Sequence, residues 1–172
     1  MQNRTKTIAL ISMYASLYVA LIFVFMEMSY GPIQLRVADA LIAMIPLFGL
    51  AGVIGHALGV FISNIFSTAG LLDLLNTIPS FVMSFVIYYV YKKTNNDYTI
   101  IATCTAYSVV LGVTVGWMLS YIYSLPLIAT ILYVAIGNII ASVLIGWPLF
   151  KVLKKVGVHH WIGQVTRSVE EK

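Results

Sequence analysis

Residues 40–66 read ALIAMIPLFGLAGVIGHALGVFISNIF, and the way this apolar run is divided decides the fold. As a single helix the run would extend about 40 Å, whereas a bilayer offers roughly 30 Å of hydrocarbon. Pro46 and Gly49 stand near its middle, and both residues disfavour an uninterrupted helix. Two helices, over residues 38–48 and 50–66, therefore fit the run as well as one long, broken helix does.

The composition around this run is that of a membrane protein. Of the 172 residues, 60% are hydrophobic and 9% are charged, whereas a soluble domain carries about 25% charged residues. The single cysteine excludes a disulfide framework and a cysteine-based zinc site. The formal net charge of +4 comes from Lys and Arg residues that flank apolar runs. We therefore attribute this charge to orientation in the bilayer and expect no nucleic-acid partner.

The basic residues decide the number of membrane spans. Apolar runs cover residues 8–26, 40–66, 71–91, 98–125 and 126–150. If the second run forms two spans, the total is six, and nine of the ten basic residues lie on the inner side, with Arg36 alone outside. Five spans would instead place Lys92, Lys93 and the lysines after residue 150 outside, against the positive-inside rule.

We therefore predict an all-α membrane protein in which residues 1–172 form one domain of six transmembrane helices. The predicted helices cover residues 8–27, 38–48, 50–66, 72–91, 98–124 and 127–151, and a short basic C-terminal tail follows. Both termini are expected in the cytoplasm, and the chain is expected to be a multi-pass protein of the cell membrane.

This topology places three acidic residues, Glu27, Asp39 and Asp73, on the outer side, with Arg36 as the one base. The outer half then carries a formal charge of −2, which would attract a cationic or neutral ligand and repel an anion. Asp39 and Asp73 have a second interpretation, as N-caps of the helices that they precede. Capping and ligand binding do not exclude each other.

Two further residues lie deep in the predicted membrane. Asn138 follows Pro126 by about 18 Å of helix, near the middle of the bilayer, where a polar side chain needs a partner. It either contributes to a ligand pocket or joins two helices by a structural hydrogen bond. Trp117 lies deeper than an interfacial aromatic residue should, which makes it a candidate wall for a flat ligand.

Small residues at four-residue spacing mark faces where helices can approach closely in lipid. Three such stripes occur: Ser12, Ser16 and Ala20; Gly55, Gly59 and Ser63; and Gly112 and Gly116. We interpret the second and third stripes as internal packing. The first allows two interpretations, packing within the protein or docking of a separate membrane subunit.

Motifs for catalysis and for cofactor binding are missing from the sequence. There is no P-loop, no HExxH motif and no Ser-His-Asp grouping, so we expect neither an enzyme nor a bound cofactor or metal. His56 and Cys104 are interpreted as packing residues.

The segment Tyr30–Leu41, YGPIQLRVADAL, resembles the loop-1 signature of the QueT family. These proteins are substrate-binding S components of energy-coupling factor (ECF) transporters, associated with precursors of queuosine. The resemblance continues through 46–48, 59–64, Asp73 and the segment from Pro126 to Lys155, and therefore covers nearly the whole chain. The sequence departs from the family pattern at Ala38-Asp39, where Ser-Glu is usual, and at Asn138, where glutamate is common.

The resemblance implies six helices and a function in import. The chain would capture a queuosine precursor, or a related 7-deazapurine or vitamin-like molecule, from outside the cell. Two ATPases bound to a transmembrane coupling subunit would hydrolyse ATP. The coupling subunit would dock on the stripe Ser12, Ser16 and Ala20, which is similar to the Ala-xxx-Ala motif of S components.

The expected substrate site lies beneath the outer loops. A fused heteroaromatic base would stack on Trp117, and Gln34, Arg36 and Asp39 would form or latch a lid. The hydrogen-bonding edge of the base would face Asp73, Asn76 and Asn138. The alternative functions are a stand-alone channel or facilitator for small solutes, a membrane enzyme and a purely structural subunit.

Overall fold

The structure is a computed structural model that describes residues 2–31, 35–158 and 160–162. Its elements in chain order are α1 Gln2–Val24, α2 Met26–Tyr30, a 3₁₀ helix Val37–Met44, α3 Ile45–Phe48, α4 Leu50–Ile65, α5 Leu71–Leu75, α6 Thr77–Thr94, α7 Tyr98–Tyr123, α8 Leu127–Ile139, a π-helical segment Ile140–Ile145 and α9 Gly146–Val156. No strand occurs in these ranges, so the predicted all-helical class is confirmed for the described residues.

Four helical stretches are long and apolar enough to cross a membrane: Arg4–Val24, Leu72–Thr94, Tyr98–Tyr123 and Leu127–Val156. Two shorter apolar helices, Val37–Phe48 and Leu50–Ile65, lie between the first and second of them. The apolar helical segments therefore stand at the six predicted positions. The crossing of the bilayer by the two shorter ones stays a prediction.

Gly49 divides the run 40–66 into two helices. Its backbone has φ +61° and ψ −143°, a conformation that costs little only for glycine. Helix α3 ends at Phe48 on one side of Gly49, and α4 begins at Leu50 on the other. The two-helix interpretation of the run is the one that the structure shows.

Two of the glycine stripes pack inside the protein, as predicted. A Cβ atom added to Gly55 or Gly59 would lie 2.8 Å from the Cβ of Tyr14 or Tyr18, so α4 packs closely on α1. The Gly112 and Gly116 stripe brings α7 equally close to α8, because a Cβ at either position would lie 2.6 Å from the nearest atom of that helix. Larger residues at these positions would separate the helices.

The 3₁₀ helix Val37–Met44 occupies the centre of the protein. Every residue from Ala38 to Met44 is buried. The start of α9 packs on it so closely that a Cβ at Gly146 would lie 2.6 Å from the carbonyl oxygen of Ala40. A 3₁₀ helix of eight residues is unusually long, and a π segment precedes Gly146. Such departures from α-helical geometry are frequent near functional sites.

Polar contacts identify the two ends of the bundle. At one end, the Arg36 end, Thr68 bonds to the carbonyl of Tyr30 at 3.3 Å and to the hydroxyl of Tyr123 at 3.2 Å. At the other, the Asp97 end, Lys151 and Lys154 both donate to the carboxylate of Asp97. This second contact joins the α6–α7 connection to α9.

Candidate functional site

Polar side chains from separate parts of the chain are buried together near the Arg36 end. We call them the polar cluster: Arg36, Asp39, Asn64, Asp73 and Asn76. Arg36 is only 2% exposed, and the two aspartates are fully buried. Arg36 immediately precedes the 3₁₀ helix, and Asp39 lies inside it. Asn64 lies in the last turn of α4, Asp73 lies in α5, and Asn76 directly follows α5.

Asn64 links the arginine to α5. Its side-chain oxygen accepts a hydrogen bond from Nη2 of Arg36 at 2.5 Å, and its amide group donates to the backbone carbonyl of Asp73 at 2.8 Å. Asn64 therefore connects the segment before the 3₁₀ helix, at Arg36, to α5, at Asp73. This bridge brings loop segments that are distant in sequence to the same place.

Each carboxylate of the cluster accepts a hydrogen bond at Oδ1, whereas Oδ2 has no partner at hydrogen-bond geometry; the hydroxyl of Tyr107 lies close to the Asp39 carboxylate. Oδ1 of Asp39 accepts from the hydroxyl of Tyr18 at 2.7 Å, and Oδ1 of Asp73 accepts from the amide of Asn76 at 3.2 Å. The Oδ2 atoms of both aspartates and Nε of Arg36 are buried without a hydrogen-bond partner in the described part of the chain. Buried polar atoms nearly always find a partner in the protein, a water molecule or a ligand.

The charges of the cluster are not paired directly. Among the described residues the ion pairs at salt-bridge distance all involve Asp97, at the opposite end of the protein. Asp39 and Asp73 nevertheless lie close enough to Arg36 to interact with it electrostatically. Two carboxylates and one guanidinium give the cluster a formal charge of −1. Because isolated buried charges are costly, this arrangement favours a ligand that donates hydrogen bonds.

Neither aspartate acts as an N-cap. The N-cap positions of the 3₁₀ helix and of α5 belong to Arg36 and Gly70, and no side chain caps either helix. Asp39 and Asp73 lie in the first turns of these helices instead. The capping interpretation of the two aspartates is therefore wrong, and their burial needs another explanation.

The comparison with known protein families agrees with the membrane character of the fold. The profile of the QueT transporter matches residues 8–155. The chain belongs to the QueT transporter family. No curated protein and no solved structure matches it. Membership in the QueT family gives the protein a role in membrane transport and accounts for its apolar helices.

Asn138 of this QueT family member is buried at the end of α8, just before the π segment. Its Oδ1 atom has no hydrogen-bond partner among the described residues. Its backbone carbonyl accepts from the hydroxyl of Ser142 at 2.7 Å, and Ser142 bonds to Ser108 of α7 at 3.0 Å. The hydrogen bond between the helices next to Asn138 is thus made by the two serines, and the side-chain oxygen of Asn138 remains free to accept a hydrogen bond.

Trp117 lies at the edge of the QueT fold rather than in its interior. Its side chain is 61% exposed and stacks on Tyr121, with ring centroids 6.3 Å apart. It borders a groove of about 240 Å³ that also contains Asn76 and Met118. The amide of Asn76 donates to the sulfur of Met118 at 3.3 Å. The groove therefore leads from Trp117 to one member of the polar cluster.

Several predicted residues lie outside the cluster. Gln34 belongs to residues 32–34, outside the described ranges. Glu27 is exposed on α2 and lines a wide groove, so its carboxylate lies outside the polar cluster. Ser12, Ser16 and Ala20 are exposed along α1 and line a groove of about 460 Å³ between α1 and α4.

Two residues of the candidate site could not be identified from the sequence: Asn64, a member of the polar cluster, and Tyr18, which donates to Asp39. Asn64 was visible as a polar residue at the end of an apolar run, but nothing in the sequence indicated its partners. The role of Tyr18 has even less of a signal in the sequence, because a tyrosine in an apolar helix is usually a packing residue.

Proposed function

We propose that this protein is the substrate-binding S component of an ECF-type importer and captures a queuosine precursor or a related 7-deazapurine. The observation that carries the proposal is the polar cluster, with one unpartnered carboxylate oxygen on Asp39 and another on Asp73. The amino-pyrimidine edge of a 7-deazaguanine presents adjacent N–H donors. Two carboxylate oxygens are the acceptors that such an edge needs.

The other predicted residues complete the proposed site. Asn138 offers a further acceptor from α8. Trp117 would stack on the base at the mouth of the groove that it shares with Asn76. Gln34, Arg36 and Asp39 would form or latch the lid over the bound substrate.

The proposed orientation places the polar cluster toward the outside and both termini in the cytoplasm of a cell-membrane protein with six spans. The lysines of the Asp97 end then lie on the inner side, which the positive-inside rule favours. Substrate would enter from outside and leave toward the cytoplasm after the complex hydrolyses ATP.

The exposed groove between α1 and α4 is the proposed docking surface for the transmembrane coupling subunit. Ser12, Ser16 and Ala20 allow a partner helix to approach the backbone of α1 closely. Two ATPases would bind to that coupling subunit and supply the energy of transport.

A thermal-shift measurement on the purified protein tests the substrate class. At 100 times its dissociation constant, 7-deazaguanine should stabilise the folded protein by about 2.7 kcal/mol, or roughly 5–10 °C. The matched compound 7-deazahypoxanthine lacks the 2-amino donor and should give a smaller shift at the same concentration. Absence of any shift with 7-deazaguanine would refute the substrate class.

An uptake measurement tests the transporter class separately. Cells that express this chain together with a coupling subunit and two ATPases should accumulate labelled 7-deazaguanine, whereas cells that express the chain alone should not. Flux through liposomes containing only this chain would instead identify a channel or facilitator.

A further inference from the structure

Helix α1 has two faces with different neighbours. One face exposes Ser12, Ser16 and Ala20 along the α1–α4 groove. The other face buries Tyr14 and Tyr18 almost completely. The same helix therefore borders the exposed groove and the interior of the protein.

Both buried tyrosines bond to the central 3₁₀ helix. The hydroxyl of Tyr14 donates to the backbone carbonyl of Leu41 at 2.5 Å. The hydroxyl of Tyr18 donates to Oδ1 of Asp39 at 2.7 Å. A displacement of α1 relative to the 3₁₀ helix would stretch both bonds.

The two tyrosine rings have little freedom to adjust. Gly55 and Gly59 of α4 lie so close to the Cβ atoms of Tyr14 and Tyr18 that no side chain fits between the two helices at these positions. His56, fully buried between these glycines, meets the ring of Tyr18 edge-on at 5.1 Å and that of Tyr14 at 6.3 Å. Because packed side chains of this kind move with their helices, the hydroxyls follow α1.

We propose that Tyr14 and Tyr18 couple the exposed α1–α4 groove to the Asp39 carboxylate, with Tyr18 as a positioning residue of the substrate site. Tyr18 holds Oδ1 of Asp39 and thereby sets the direction of the unpartnered Oδ2. An occupant of the groove that displaces α1 changes the position of this carboxylate. The inference deepens the proposed function, on which it rests for the identity of substrate and coupling subunit.

Coupling of this kind is reciprocal. If docking in the groove changes the affinity for substrate, then bound substrate changes the affinity for the docked subunit by the same factor. The two tyrosine hydroxyls would make an S component whose association with its coupling subunit depends on whether substrate is bound.

Hydrogen–deuterium exchange on the isolated protein tests the coupling without substrate or partner. In a Ser16→Cys variant, pyrene maleimide attaches a large group in the groove, while the native Cys104 is buried. Met13→Cys is the matched control, since Met13 is exposed on α1 outside the groove. We expect the amides of residues 37–44 to exchange about tenfold faster with the Ser16 adduct, as for loss of one hydrogen bond to a charged group.

The contribution of the two hydroxyls is tested by adding Tyr14→Phe and Tyr18→Phe to both cysteine variants, since phenylalanine keeps the rings and removes only the hydroxyls. In that background the two adducts should give exchange rates within about twofold of each other. If the double variant does not fold, Tyr18→Phe alone is used, and the same loss is expected at residues 38–40. Equal exchange for both adducts in the parent protein, or a tenfold difference that persists without the hydroxyls, would overturn the coupling.

These outcomes are independent of the substrate. A protein that shows the tyrosine-dependent exchange but binds no 7-deazapurine would refute the proposed substrate and leave the coupling intact. A protein that binds 7-deazaguanine but lacks the tyrosine-dependent exchange would refute the coupling and leave the proposed substrate intact.

Discussion

Replacing Asp73 by asparagine separates a ligand-binding carboxylate from a structural one. The side chain is fully buried, with Oδ1 bound to Asn76 at 3.2 Å and Oδ2 without a partner. The Asp73→Asn change keeps the shape and the number of heavy atoms but replaces one acceptor by a donor. The contact between Asn64 and Asp73 is retained, because it uses the backbone carbonyl of residue 73.

The magnitude follows from the bond that is lost. If Oδ2 accepts a hydrogen bond from the substrate, the asparagine loses a charge-assisted bond and can turn its own donor toward a donor. We expect a loss of about 2–3 kcal/mol, or roughly 30- to 150-fold in affinity. Stability of the empty protein should change little, since Gly70 and not Asp73 is the N-cap of α5.

Isothermal titration of 7-deazaguanine into both proteins measures the effect. Glu27→Gln is the matched control, because it removes one carboxylate charge near the Arg36 end from an exposed side chain outside the cluster. This control should bind within about twofold of the parent protein. A change of less than about threefold for Asp73→Asn, under 1 kcal/mol, would remove Asp73 from the site.

Three further predictions concern topology, docking and the Asp97 end. A cysteine at Asn95, which directly follows α6, should react with a membrane-impermeant reagent only from the cytoplasm, and a cysteine at Gln34 only from outside. Labelling of both positions from one side would contradict the six-span topology. Ser16→Trp should abolish co-purification with the coupling subunit, because a large ring cannot enter a close-packed helix face, whereas Met13→Trp should retain it. If the Ser16→Trp variant still co-purified in full yield, the docking surface would have to lie elsewhere. At Asp97 burial opposes ionisation, but hydrogen bonds from Lys154 and Lys151 outweigh it and lower the pKa. The stabilisation is therefore complete above the ordinary aspartate pKa, near 4, and is lost as pH falls through the lowered pKa. Asp97→Asn should cost about 1 kcal/mol of unfolding free energy at pH 7. In thermal unfolding the difference from the parent should shrink as pH falls below about 4 and vanish only below the lowered pKa. A loss that is independent of pH would contradict the ionic origin, and Lys155→Gln, on an exposed neighbouring lysine, is the control.

Much of the fold follows from local features of the sequence. The break at Gly49 was predictable because proline and glycine near the middle of an overlong apolar run disfavour a continuous helix. The close packing of α4 on α1 was predictable from Gly55 and Gly59, since small residues at this spacing have few other uses in lipid. In both cases the signal lies within one segment of the sequence.

The details of the site were less predictable, because they depend on contacts between distant segments. Asn64 joins Arg36 to residue 73, and neither bond has a signature in the sequence around Asn64. The position of Trp117 along the chain gives its depth in the predicted membrane but not the direction of its side chain around the helix. The ring lies on an exposed face, next to the groove rather than inside the protein.

The formal charge of the polar cluster differs from the charge counted for the whole outer half of the protein, and the difference bears on the proposed substrate. Counting acids by side of the membrane included Glu27, but this residue is exposed on α2, apart from the polar cluster. The cluster itself carries a formal charge of −1, with Arg36 held by the neutral Asn64 rather than by a carboxylate. An anionic ligand would meet two buried carboxylates and only one guanidinium, whereas a neutral or cationic base with several N–H donors would satisfy the unpartnered oxygens. As the proposed substrate site, the cluster would therefore select substrates by their hydrogen-bond donors first and by their charge second.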